Sequence, residues 1–269
     1  MTESRDLSMI SGTANPSASR TGFYSAMFTV LVTLVTFVMA ITAVPISGAN
    51  CPEDCVEYPY LNTVAQYPKD FLWMVSAMLL VLGFVALMVS LHVDTSPRKR
   101  VFSQIALSFA LIAAVILLTD YYLQFSVVPL SLMNSETEGL PLLIQYNPHG
   151  VFLALEELGY LVMSLSFLFA GIAITGRDRL ESTIRWIFIV GFVLVFLSLA
   201  ATSLTFGLDR LDRFEVLAIS VDWLVLIVNG ILLSIMFGRH LRRIIRSRYY
   251  LISGSSLTNR WSGPGMLAG

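Results

Sequence analysis

Six runs of about twenty apolar residues, each bounded by charged or turn-forming residues, dominate this sequence. A run of that length matches the hydrocarbon thickness of a bilayer crossed by an α-helix. Inside that layer a chain must satisfy its own backbone, so runs like these can fold only as transmembrane helices. Composition agrees, because 56% of the 269 residues are hydrophobic and only 13% are charged, against about 25% charged in a soluble domain. The sequence therefore predicts an all-α integral membrane protein, a bundle of six transmembrane helices at about 22–46, 71–92, 101–124, 148–175, 186–206 and 214–237. A disordered tail is expected over 1–20, the six-helix domain over 21–238, and a basic, then disordered, tail over 239–269.

Span 1 is too long for the apolar core of a typical signal peptide, and Asn50 suits a lipoprotein cysteine at position 51 poorly, so it reads as a membrane helix. Span 2 has start signals in Pro68 and Asp70, and span 4 in Asn147-Pro148, with Asn as the cap and Pro at the first helical position. In span 3, Ala106, Ala110 and Ala114 recur every four residues, a stripe of small side chains that lets another helix approach closely.

The charges encode an orientation. With the N-terminus inside, the 17 Lys and Arg all fall in cytoplasmic segments except Lys69, Arg210 and Arg213. This is the positive-inside pattern, and it predicts both termini in the cytoplasm of a plasma-membrane protein. A net charge of −1 with no basic domain excludes nucleic acid as a partner and leaves membrane lipids and a small-molecule or lipid ligand. Oligomeric state is not encoded.

The chain has two cysteines, Cys51 and Cys55, both in the first outer loop. An oxidising compartment favours a disulfide there, with free thiols or a redox or metal role as alternatives. The second outer loop, residues 125–148, has apolar patches and no Lys or Arg. It reads as an interfacial or partly re-entrant excursion, a plain loop, or a lid.

Ionisable groups inside apolar runs are costly and mark functional sites. Asp120 lies about one turn from the outer end of span 3. Glu156 and Asp222 lie about two turns below the outer starts of spans 4 and 6. These depths are on the order of 6–12 Å at the helical rise. Helical spacing places His149, Glu156 and Tyr160 on one face, with Glu157 about 100° away on the next. Asp222 and Asn229 share a face of span 6. The candidate ligand-binding set is thus Asp120, His149, Glu156, Tyr160, Asp222 and Asn229. Tyr121, Tyr122 and Trp223 read as aromatic-belt residues.

The three histidines fall at opposite membrane faces, so no metal site is expected, and no cofactor is called for. No motif of nucleophilic or phosphoryl-transfer catalysis is present. The first functional reading is an outward-facing polar pocket in the outer third of the bilayer, binding or transporting a small molecule, a lipid headgroup or protons. Like charges sharing such a site compete for a proton. The alternatives are a membrane-embedded lipid-modifying enzyme that uses the carboxylates, and a structural or assembly protein whose polar groups specify helix packing.

Overall fold

The computed structural model describes residues 16–42, 47–49, 51, 55–61, 63, 67–68 and 71–258, with side chains to residue 246. The expectations for Lys69, Asp70, the tail over 1–15 and the last eleven residues lie outside these. Among the described residues the chain is all-helical, and six helices are long and apolar enough to cross a membrane. They are α1 (Pro16–Thr42), α2 (Leu72–Asp94), α3 (Arg100–Ser126), α5 (Val151–Ala173), α6 (Arg179–Phe206) and α7 (Arg213–Thr258). A short α4 (Val128–Met133) follows α3.

The helices are longer than the apolar runs because apolarity marks the membrane layer, whereas capping and propensity set the helix ends. Pro16 opens α1, inside the stretch predicted as a tail. Asp178 caps α6, its side chain accepting from the Glu181 N–H at 2.8 Å, so Arg179 to Arg185 are already helical. Past Phe237, α7 runs on through the arginines, which are good helix formers. Conversely, α5 starts at Val151, because Asn147 spends its side chain on the loop. It donates to Pro141 O and accepts from the His149 N–H.

Neighbours in sequence pack side by side, and α7 closes the ring against α1. α5 also touches α7 across the middle, so it is the most central helix. In the core Phe167 meets Phe84 edge to face at 5.6 Å and stacks on Phe188 at 5.4 Å between centroids, joining α2, α5 and α6. The alanine stripe of α3 is buried as its spacing predicts, and Ser166 donates to Ala106 O at 2.7 Å across the α3–α5 contact.

The two ends of the bundle differ. At the basic end, Lys99 Nζ donates to Ile172 O and Ile174 O at 2.6 and 3.0 Å, neutralising the carboxyl end of α5. There too His240 pairs with Asp94 at 3.1 Å. The other end, the loop end, carries a Cys51–Cys55 disulfide. The loop over 125–148 is structured. Val128, Leu140 and Ile144 form a small core against Tyr60 and Leu61 of the first loop. Buried Gln124 fastens it to α3 by donating to Leu143 O at 2.6 Å and accepting from the Gln145 N–H at 3.1 Å.

Close helix contact depends on some helical glycines and not on others. A Cβ on Gly159 would stand 2.5 Å from Leu117 Cδ2, a fully buried side chain, whereas a Cβ on Gly238 would meet Phe23 only at 3.7 Å. Gly159→Ala is expected to lower unfolding stability in detergent by about 1–3 kcal/mol through overpacking. Gly238→Ala should be neutral, or stabilising by up to about 1 kcal/mol through helix propensity.

Candidate functional site

Three helices meet near the loop end and bring their polar groups together. Tyr121 lies in the penultimate turn of α3, while Glu156 and Tyr160, one turn apart, share a face of α5. Trp223 comes from α7. Trp223 Nε1 donates to Tyr160 Oη at 3.1 Å, the two tyrosine hydroxyls are 3.0 Å apart, and Tyr121 Oη donates to Glu156 Oε1 at 2.6 Å. An indole N–H can only donate and each hydroxyl has one proton. The chain of bonds therefore runs one way, Trp223 to Tyr160 to Tyr121 to Glu156. Glu156, Tyr121 and Tyr160 have no solvent exposure.

Glu156 Oε2 accepts from no fixed donor. The carboxyl of Glu215, from the first turn of α7, also faces Glu156. Two carboxyl groups so placed repel each other unless a proton or a cation lies between them. Asp120 and Asp222 stand within electrostatic reach of this centre, Asp120 beside Glu156 and Asp222 beside Tyr160. Asp212 and Glu157 lie near Glu215.

Asp222 is the extreme case. It is fully buried, and neither carboxylate oxygen has a hydrogen-bond partner among the described residues. Asp120 Oδ2 is also buried without one. Leaving such atoms unanswered costs about 1–3 kcal/mol each, and more when the group is charged.

One cation faces these acids among the described residues. Arg210, in the short 3₁₀ turn Gly207–Arg210, forms an ion pair with Glu157. Arg213 is directed elsewhere, 4.2 Å from the centre of the Phe206 ring and donating to Asp209 O at 2.7 Å. Asp212 accepts from the Ala49 N–H at 2.8 Å and so ties the α6–α7 turn to the first loop. The centre is thus rich in acid, enclosed, and only partly neutralised.

Four of the six predicted ligand residues, Asp120, Glu156, Tyr160 and Asp222, come together here. His149 does not join them. α5 begins two residues after it, so the face predicted from helical spacing stops short, and His149 sits exposed in the preceding loop. Asn229 is also apart, about 10 Å along α7 from Asp222 at the helical rise. It donates to Ile184 O at 3.2 Å, tying α7 to the opposite half of α6. Glu157 points to its own face, as its spacing predicts, and meets Arg210 there.

Three participants escape a reading of the sequence. Tyr121 and Trp223 look like belt residues but are buried and wired into the network, whereas Tyr122 is exposed. Glu215 looks like a loop residue at the end of a mixed-charge run. Its signal is the heptad spacing, since Glu215, Asp222 and Asn229 follow one another at intervals of seven along α7. Among the described residues, no group of three or more His, Cys, Asp and Glu is placed to hold a metal ion. No protein-family model, curated protein or solved structure matches this chain.

The Arg210–Glu157 pair tests how much the cluster relies on its one facing cation. Arg210 is 30% exposed and Glu157 9%, so water screens part of the interaction. Arg210→Gln is expected to lower stability by about 1–3 kcal/mol by stranding a buried carboxylate. Adding Glu157→Gln should restore more than half of that loss. Chemical or thermal unfolding of the four variants of this cycle measures both.

Proposed function

We propose that this chain is a plasma-membrane protein that binds or transports a proton or a small cationic molecule at the acidic cluster, with the loop end facing outward and both termini in the cytoplasm. The orientation rests on charge. Arg98, Lys99, Arg100, Arg177, Arg179, Arg185 and the arginines after Phe237 gather at one end, and Arg210 and Arg213 are the described cations of the other. A disulfide at the loop end agrees with an oxidising outer compartment.

The observation that carries the reading is Asp222, fully buried with both oxygens unanswered. It lies beside a directed chain of hydrogen bonds that ends on Glu156, which the Glu215 carboxyl faces. Six carboxylates against one facing arginine make a cation, of which the proton is the smallest, the complementary occupant. Tyrosine hydroxyls between acids can pass a proton along the same bonds they now make. The acids lie in the turns nearest the loop end, so exchange with that side needs only the α6–α7 turn to move.

The satisfied part of the network favours a second reading, in which Trp223, Tyr160, Tyr121 and Glu156 specify helix packing alone. Proteoliposomes holding the purified chain and a pH-sensitive dye separate the two. Under an imposed pH gradient, wild-type protein should carry protons, and Asp222→Asn or Glu156→Gln should slow the flux by about a hundredfold, the usual scale for losing a positioned proton-transfer group. Asp222→Asn should fold about as stably as wild type, because it exchanges one unpartnered buried polar group for another of the same size. Choline and ammonium, added to detergent-purified protein, should raise the melting temperature in wild type and not in the double variant. Flux and stabilisation that are absent in wild type, or unchanged in the double variant, would establish the packing role instead.

A further inference from the structure

On the lateral surface of the bundle an apolar groove of about 710 Å³ runs between α6 and α7, lined on α7 by Val221, Leu224, Val225 and Val228, the outward neighbours of buried Asp222 and Trp223. Its floor is the contact of Gly191 with Val225, where a Cβ on the glycine would stand 2.6 Å from Val225 Cγ2. The missing side chain lets the helices touch there and leaves a furrow above them. Val190, Leu194 and Leu224 form its walls, and each is between 46% and 62% exposed.

One end of the groove is polar. Arg179, in the first turn of α6, and Ser182 line it there, with half-exposed Trp186 beside them. The acids nearest to Arg179 are already engaged. Asp178 caps the helix and faces Arg239 at 3.9 Å, and Glu181 accepts from Thr175 Oγ1 and the Arg177 N–H. Arg179 itself forms no ion pair among the described residues and is exposed. The amino end of α6 adds the positive pole of a helix dipole at the same place.

The dimensions fit one leaflet. From Arg179 to Leu194 the groove follows α6 for about 22 Å at the helical rise. Half of a bilayer with its headgroups measures about 20–22 Å. The charged end therefore falls at headgroup level while the apolar end reaches the midplane, and Trp186 sits at the depth where indoles concentrate.

We propose that this groove is a binding site for one phospholipid with an anionic headgroup, its phosphate at Arg179 and Ser182 and one acyl chain lying over Gly191 between Val190 and Leu224. A second copy of the chain fits less well. Two copies in one membrane share an orientation, so a symmetric contact along this groove would set Arg179 against Arg179 at the same depth. The inference is independent of the acidic cluster and of any transport through it.

Native mass spectrometry of the purified full-length chain tests it, with phosphatidylglycerol or phosphatidylcholine of identical acyl chains added back after delipidation. One phosphatidylglycerol should be retained per chain and phosphatidylcholine several-fold less. Arg179→Gln should weaken retention of phosphatidylglycerol about fivefold, the scale of one basic residue at a membrane surface. Leu224→Trp, which fills the groove from an exposed position, should weaken retention of both lipids, and circular dichroism should show the helices intact. Arg246→Gln, at the same end but outside the groove, should change nothing. Equal retention of the two lipids, or an Arg246→Gln loss equal to that of Arg179→Gln, would reduce the effect to the general field of the basic end and overturn the proposal. A dimer that Leu224→Trp dissociates would name a second copy as the occupant and overturn it as well.

Discussion

Within a bilayer, water cannot answer a polar group, so every donor and acceptor in the apolar layer depends on another part of the same chain. The structure follows that constraint at each level. Backbone groups are satisfied within long helices. Thr33, Thr36 and Ser90 return their hydroxyl protons to carbonyls one turn back. Ser166 and Asn229 reach carbonyls on neighbouring helices, so their polarity becomes a tie between segments. Lys99 spends its charge on the open carbonyls at the end of α5.

Unanswered buried atoms occur elsewhere, at Thr29 and Asn229 for example, but the acidic cluster gathers the most of them in one place. Tyr121, backed by Tyr160 and Trp223, answers one oxygen of Glu156, and Arg210 answers one oxygen of Glu157. Among the described residues, both oxygens of Asp222 and one each of Asp120, Glu156 and Glu157 are left unanswered. A chain whose polar groups served packing alone would gain stability by replacing Asp222 with an apolar residue of similar size. An acid held there at a cost is the feature on which the proposed proton or cation binding rests. The α6–α7 turn beside the acids is pinned on two sides, by Arg210 to α5 and by Asp212 to the first loop.

The two ends of the bundle divide the charge. The arginine-rich end carries the ties that close the ring, His240 to Asp94 and Arg239 to Asp178. Arg179, one of several arginines there outside these ion pairs, stands where the apolar furrow between α6 and α7 ends, which is why the lipid proposal centres on it.

Much of the fold is legible along the chain itself. The six helices, their alternating direction and the buried alanine stripe of α3 follow from run length, charge placement and spacing, because the bilayer imposes a length and a polarity that a linear sequence must match. Depth is legible as well, since counting residues from the ends of the spans puts Asp120, Glu156 and Asp222 at one level. Rotation is legible only in part. Spacing separates Glu156 from Glu157, yet it extends the face to His149, which lies before α5 begins. Tyr121 and Trp223 resemble belt residues because an aromatic side chain near a membrane surface reads alike whether it faces lipid or the core. Which way each helix turns is decided by side-chain packing across the ring, and that packing sets Tyr121 on Glu156, brings Glu215 in from the start of α7 and turns Asn229 toward Ile184. Run length and charge order thus specify six membrane helices with acids at one depth. Which of those acids face one another, and which are left with unanswered oxygens, is decided only when the helices pack. Hydrogen-bond partners on different helices are joined by rotation and register, and distance along the chain carries neither.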